Sequence, residues 1–281
     1  MSDIASYGEK GFAAPIRVLS EAEASEISEK VLALRRSDPQ TAEQALGTNC
    51  HLLFPRLYDL TLNEGVLDAV EQVLGPDILV WSAGFFLKDA HSEKFVSWHQ
   101  DSTYWGLEPP DIVTAWIALT PSTPESGCMR VVPGSHLKGQ LEHADSFSDT
   151  NMLSRGQEVQ VEVDEAEAHD VVLKPGEMSL HHVRIVHGSQ SNRADHPRVG
   201  YAVRYIPTHV RQTGGRTFAI PARGADRFNH FDVPKRPKAD LDADAWDMHA
   251  ESVRRLSAVV MQGAAQESKV SEYARHTASQ G

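Results

Sequence analysis

The residues whose types and spacing point most directly to chemistry are His99 and Asp101, in Trp98-His99-Gln100-Asp101. Their apolar approach, Phe95-Val96-Ser97-Trp98, reads as a strand that the turn-prone Asp101-Ser102-Thr103 brings to an end. Residues i and i+2 of a strand point to the same side, so an imidazole and a carboxylate are aimed at one spot. That pair is two thirds of a facial site for a divalent metal. Two histidines and one carboxylate on one face, with the opposite positions open, suit non-haem Fe(II) oxygen chemistry. The third ligand must come from far along the chain, and His187 in Val186-His187-Gly188-Ser189 is the natural candidate. Taken alone, a His-x-Asp triplet is more often a surface histidine and aspartate at a strand end than a metal site.

The elements that must hold these residues follow from periodicity and punctuation. Ser20 and Glu23 form a capping-box pattern, opening a helix expected to reach about Arg36 along Ile27, Val31, Leu32 and Leu34, with Asp38-Pro39 as its stop. Residues 52–60 and 63–74 read as further helices, and residues 1–18 as irregular. From Ile78 the pattern changes to short strands, expected at 78–87, 95–99, 112–119 and 128–132, then at 159–163, 171–173, 178–181, 185–187 and 199–206. Such a series signals a sandwich or barrel. The polar stretch 137–157 between the halves is too long for an ordinary connection and is either a lid or a surface loop. A loop-rich region follows, then a helix expected over 243–262 and a polar tail from Ala264.

The triplet is not isolated. It is followed by Trp116-Ile117-Ala118-Leu119, Pro133-Gly134-Ser135-His136, Lys174-Pro175-Gly176-Glu177 and His187-Gly188-Ser189-Gln190-Ser191-Asn192, with Arg198 eleven residues after His187. In this order and register, over roughly residues 50–210, the chain resembles the phytanoyl-CoA dioxygenase family of Fe(II)/2-oxoglutarate oxygenases. The resemblance implies a mainly β fold with flanking helices, the double-stranded β-helix or jelly-roll barrel. It implies His99, Asp101 and His187 as iron ligands and catalytic centre, with 2-oxoglutarate and O2 as cosubstrates in the three exchangeable positions. Arg198 matches the family's arginine for the distal carboxylate, a task that suits a planar, permanently charged guanidinium. Ser189 and Gln100 match positions that touch the cosubstrate, and Trp116 an aromatic lining its pocket; each is equally readable as a packing or turn residue. His182 matches a position that is usually not a ligand, so the pair His181-His182 reads as structural, and His136 as the anchor of a strand end. Halogenating relatives carry a small residue where this chain has Asp101, so hydroxylation is expected.

Composition bounds the rest. The chain has 281 residues, read as one oxygenase domain with a helical scaffold (1–77), a jelly-roll core (78–210) and a loop-rich region with a C-terminal helix (211–281). A net charge of −12 lacks the basic footprint of a nucleic-acid binder. Cys50 and Cys128 show no metal-type spacing and favour a reducing compartment. With no visible secretory leader and no membrane-length apolar run, the expected location is the cytoplasm.

Strand alternation supplies one lead about the substrate. If Arg198 faces the interior, Gly200, Ala202 and Arg204 share its face, so Arg204 either joins an ion pair or holds an anionic group of the substrate. Tyr104 and Trp105 follow the triplet closely enough to wall a substrate pocket. Together these suit a small polar substrate, an aminophosphonate or betaine-like zwitterion, with its ammonium against an aromatic face. The rival readings are an acyl-CoA or natural-product tailoring hydroxylase, a catalytically silent binder of metal and 2-oxoglutarate, and a zinc hydrolase.

Overall fold

The computed structural model describes residues 4–261 apart from 147, 149, 154 and 155. In chain order its first strands are β1 (Phe12–Arg17), β2 (Ile78–Lys88), β3 (Val96–His99), β4 (Leu107–Glu108), β5 (Val113–Ala118), β6 (Arg130–Val131) and β7 (His143–Asp145). They continue as β8 (Gln157–Val159), β9 (His169–Asp170), β10 (Glu177–His182), β11 (His187–Ser189), β12 (Arg198–Pro207), β13 (Arg211–Gln212) and β14 (Ile220–Arg223). The helices are α1 (Tyr7–Lys10), α2 (Glu21–Ser37), α3 (Pro39–Ala45), α4 (Pro55–Thr61), α5 (Glu64–Leu74) and α6 (Ala243–Val260). None of the described helices is long and apolar enough to cross a membrane. The fold is mainly β with flanking helices, a jelly roll.

The chain forms two compact units. The first comprises Met1–Ser28, Phe86–Thr103 and Thr114–Ala202. Within it β1, β10, β5 and the start of β12 lie side by side, while β3, β11, β6 and β9 form a second sheet. Phe12, Trp116, Ala118 and Ala202 of the first sheet pack with Val131 of the second and with Leu173 and Ile185 in one core. Burying each large apolar side chain there contributes about 1.5–3 kcal/mol. Gly200 is required by close approach: a Cβ on it would stand 1.8 Å from Cζ2 of Trp116. The indole can approach β12 this closely only because that position has no side chain.

β1 corrects the expectation of an irregular start. It runs antiparallel to β10, with Phe12 opposite His181 and Arg17 opposite Glu177, and its register shifts between Ala13 and Ile16. Pro15 sits inside that irregularity, where its missing N–H removes no ladder bond. The same proline broke the alternation that would have marked a strand. Described residues of the stretch 137–157 make defined contacts. β7 and β8 pair as a hairpin, Ser97 Oγ on β3 donates to the Gln157 carbonyl at 2.6 Å, and Asn151 Nδ2 donates to Ser97 Oγ at 2.9 Å. The capping box of α2, read from Ser20 and Glu23, is formed: Ser20 N donates to Glu23 Oε2 at 2.9 Å and Glu23 N to Ser20 Oγ at 3.2 Å.

The second unit comprises Glu29–Phe85, Tyr104–Val113 and Val203–Gly281. β14 runs antiparallel to β2 with Ile220 opposite Val80, and β13 pairs β4 with Gln212 opposite Leu107. Asp38-Pro39, read as a stop, also starts α3, since Asp38 accepts from Thr41 N at 3.0 Å and Pro39 occupies the first turn. The helix expected over 52–60 begins only at Pro55, which likewise takes its first turn. α6 is capped by Asp242, which accepts from Ala245 N at 3.0 Å. Its buried face is held by polar contacts: Asn49 Nδ2 donates to Ser252 Oγ at 2.6 Å, and His249 Nε2 to the Thr48 carbonyl at 2.9 Å. The expected end of that helix at Gln262 and the tail from Ala264 lie outside the described residues.

Candidate metal centre

His99 and His187 stand directly opposite each other on the antiparallel pair β3–β11, which brings their ring centres to 4.1 Å. Each ring is oriented by backbone carbonyls at its Nδ1. His99 Nδ1 lies 2.9 Å from Ser97 O and 3.0 Å from His187 O, and His187 Nδ1 lies 3.0 Å from Ile185 O. Asp101 is not on the strand, which ends at His99; it opens a 3₁₀ turn (Asp101–Thr103) whose position is set by Asp101 N donating to Val183 O at 3.0 Å. Alternation along a strand therefore points to the right partner but not to the element that carries it. Asp101 Oδ1 stands 3.3 Å from His99 Nε2 and 4.0 Å from His187 Nε2. The three ligand atoms all lie within 4.8 Å of one another.

This geometry fits a cation better than a hydrogen-bonded cluster. Burial, and then the neighbouring His99, hold the His187 imidazole well below its ordinary pKa, so it is neutral and carries one proton. That proton belongs on Nδ1, where a carbonyl accepts it, leaving a lone pair on Nε2. His99 likewise has carbonyls at its Nδ1 and turns Nε2 toward Asp101. Burial alone would raise the Asp101 carboxyl, but the imidazoles of His181 and His99 beside it outweigh that and hold it well below the usual carboxylate range. The Nε2 atoms of both rings thus face one carboxylate oxygen. Two imidazoles and one carboxylate converging on one buried spot are the donor set of a non-haem iron site.

Arg198 and Trp116 lie in the same unit. Arg198 is 2 % exposed, its guanidinium lies 5.3 Å from the Trp116 ring centre, and its Nη1 donates to Gly127 O. Its Nε has no partner, and no carboxylate of the described residues pairs with it. Burial lowers its pKa to about 10, leaving it charged at neutral pH. A buried guanidinium without a counter-ion calls for an anion, which the far carboxylate of a keto acid would supply. Ser189 is buried on β11, where its Oγ accepts from Lys88 Nζ at 2.7 Å.

Lys88 was missed by sequence reasoning because it closes a long strand and reads as a solvated end. It is fully buried, also donates to Gln190 O, and pairs with no carboxylate of the described residues. Burial, then the charge of Arg198, lower its pKa to about 6 from 10.5. Between those two values the unfolded chain binds more protons than the folded one, so this group makes stability rise with pH and withdraws that contribution as pH falls toward 6. From about pH 7 to about pH 9 the melting temperature of the ligand-free protein should accordingly rise relative to that of Lys88→Met. A difference between the two proteins that does not change with pH would contradict the buried, neutral amine.

Gln100 is occupied elsewhere. Its Nε2 donates to Gly139 O at 2.9 Å and Arg184 O at 2.7 Å, and its Oε1 accepts from Leu141 N at 2.7 Å and Gln140 Nε2 at 3.0 Å. All four positions of the amide are used, which makes the side chain a clamp on residues 139–141. His136 anchors a turn as expected, with Nε2 3.2 Å from Gly8 O, and its ring centre lies 5.1 Å from that of His182 in a tilted contact. His181 is different. It is buried with Nε2 3.8 Å from Asp101 Oδ2, a placement the doublet His181-His182 gave no means of foreseeing.

The residues read as substrate contacts belong to the second unit. The Arg204 guanidinium lies 5.6 Å from the Trp105 ring centre, and Trp105 packs on Trp81 at 5.2 Å. Gln212, unmarked in the sequence, holds this group: its Nε2 donates to Trp105 O at 2.6 Å and its Oε1 accepts from Trp81 Nε1 at 3.0 Å. Tyr104 is half-buried.

A family model described as phytanoyl-CoA dioxygenase matches residues 7–200. The chain belongs to the phytanoyl-CoA dioxygenase family. Within and around that family, it is 34% identical to a solved non-heme monooxygenase, ThoJ, with a TM-score of 0.82 over 92% of this chain and 98% of that one. It is 28% identical over 160 residues to a probable alpha-ketoglutarate-dependent hypophosphite dioxygenase of Stutzerimonas stutzeri, covering 55% of each chain. It is 27% identical over 192 residues to the phytanoyl-CoA dioxygenase domain-containing protein 1 of Mus musculus, covering 64% of this chain and 61% of the relative. The match thus spans little more than half the length of these curated relatives.

Proposed function

We propose that this phytanoyl-CoA dioxygenase family member is an Fe(II)/2-oxoglutarate-dependent hydroxylase, which inserts one oxygen atom of O2 into a substrate C–H bond and releases succinate and CO2. The observation that carries this reading is the convergence of two imidazoles and one carboxylate on a single buried spot. His99, Asp101 and His187 would hold the iron from one side. Bound iron supplies the activation of O2 that couples decarboxylation of the keto acid to C–H oxidation. Arg198 holds the distal carboxylate of 2-oxoglutarate, with Lys88 and Ser189 as further polar neighbours, and the Trp116 indole keeps water from the guanidinium. Because Asp101 is present, the third protein position is filled and hydroxylation is favoured over halogenation.

For the substrate, the Arg204–Trp105 stack supports a small polar molecule with an anionic group, of the aminophosphonate or betaine-like kind. The relative named for hypophosphite, itself a small phosphorus oxyanion, is in keeping with this class. The test is succinate release above the substrate-free rate across aminophosphonates, betaines, amino acids and acyl-CoA thioesters. Arg204→Gln should raise the KM of the best small anion about tenfold or more, the scale of a charge-assisted contact, and leave substrate-free decarboxylation unchanged. A lowered melting temperature with an unchanged KM would instead make Arg204 a structural residue.

A further inference from the structure

His181 lies on β10 and is not one of the three converging ligands, yet it is 2 % exposed and its ring centre is 5.0 Å from that of His187. The three imidazoles address Asp101 differently. His99 and His187 face Oδ1 at 3.3 and 4.0 Å, whereas His181 Nε2 faces Oδ2 at 3.8 Å. Among the described residues no other side chain pairs with Oδ2. The remaining ring nitrogen of His181, Nδ1, is buried with no hydrogen-bond partner.

That orphan decides the tautomer. With the proton on Nδ1, a donor would be buried unsatisfied and the Nε2 lone pair would face the carboxylate. With the proton on Nε2, the N–H points toward Oδ2 and only an acceptor is left unpaired, the cheaper of the two defects. From this geometry we infer that His181 is a positioning residue: it holds the outer oxygen of Asp101, so that Oδ1 alone is offered between His99 and His187. At 3.8 Å the restraint is an electrostatic attraction, longer than a direct hydrogen bond. Its consequence is a one-oxygen carboxylate ligand. A carboxylate free to turn both oxygens inward would occupy a position that the keto acid or O2 needs. His182, the other half of the doublet, has no such role; its Nδ1 accepts from Arg184 N at 3.0 Å.

The inference rests on the metal reading of the triad, and the experiment separates the two. Metal-stripped wild type, His181→Leu and His181→Gln are titrated anaerobically with Co(II), recording affinity and the visible spectrum, and each metal-free protein is melted. Leucine should weaken Co(II) about tenfold, the lower end of what outer-sphere partners contribute, and alter the spectrum without lowering the metal-free melting temperature. Glutamine, which keeps an N–H able to reach Oδ2, should restore both affinity and spectrum. A His181→Leu protein with wild-type affinity and spectrum overturns the positioning role. So does a loss that tracks a lowered melting temperature and is not rescued by glutamine. Should the leucine variant not fold, His181→Met takes its place in the same titration, where weakened Co(II) supports the role and unchanged Co(II) overturns it. Wild-type protein that fails to bind Co(II), or binds it equally well after Asp101→Ala, overturns the metal reading itself.

Discussion

Asp101→Ala leaves a folded protein whose iron-dependent turnover falls to background, and His99→Ala and His187→Ala do the same. The reason is ligand count. With one of the three removed, two donors remain, too few to hold the metal firmly or to define its open face. Folding should survive because the triad contributes little to the apolar core, which is built from residues such as Phe12, Val131, Leu173 and Ile185. The comparison that checks the assignment is His182→Ala, which should retain iron and activity because that ring lies against His136. Iron lost from His182→Ala and kept by His187→Ala would reverse the assignment.

Arg198→Lys should raise the KM for 2-oxoglutarate about tenfold or more, the worth of roughly 1.5–3 kcal/mol for a charge-assisted contact. Lysine keeps a charge but loses the planar fork that matches a carboxylate and the flat face that lies on Trp116. Arg198→Ala should be more severe, leaving a carboxylate buried with its principal partner gone. Steady-state kinetics at varied 2-oxoglutarate measure both. A KM unchanged in both variants would remove Arg198 from the cosubstrate site.

How far these residues were legible in the sequence depended on whether their chemistry has a local signature. The triad was legible because metal ligation demands particular side chains, and the motifs around it stand in register with a known family. Arg198 was singled out by its spacing from His187 and is buried in the structure, and the antiparallel pairing that sets His187 opposite His99 accounts for the convergence of the triad. Lys88 was not, since a lysine ending an apolar strand looks the same whether it reaches solvent or turns inward. Gln212 was not, because its bond to Trp105 joins positions 107 residues apart and leaves no mark on either neighbourhood. β1 was hidden by Pro15, whereas the turn that carries Asp101 was legible in Asp101-Ser102-Thr103. Gln100 had two readings, and its amide is bonded around residues 139–141, the packing one of the two.

The central claim is that the triad drives oxidative turnover of 2-oxoglutarate, and the most direct test is succinate formation by the metal-stripped protein reloaded with either Fe(II) or Zn(II). With Fe(II), succinate should appear together with O2 consumption and vanish in Asp101→Ala; with Zn(II), which has no redox chemistry, none should form. No succinate with Fe(II) bound, or hydrolytic activity that Zn(II) restores, would contradict the account.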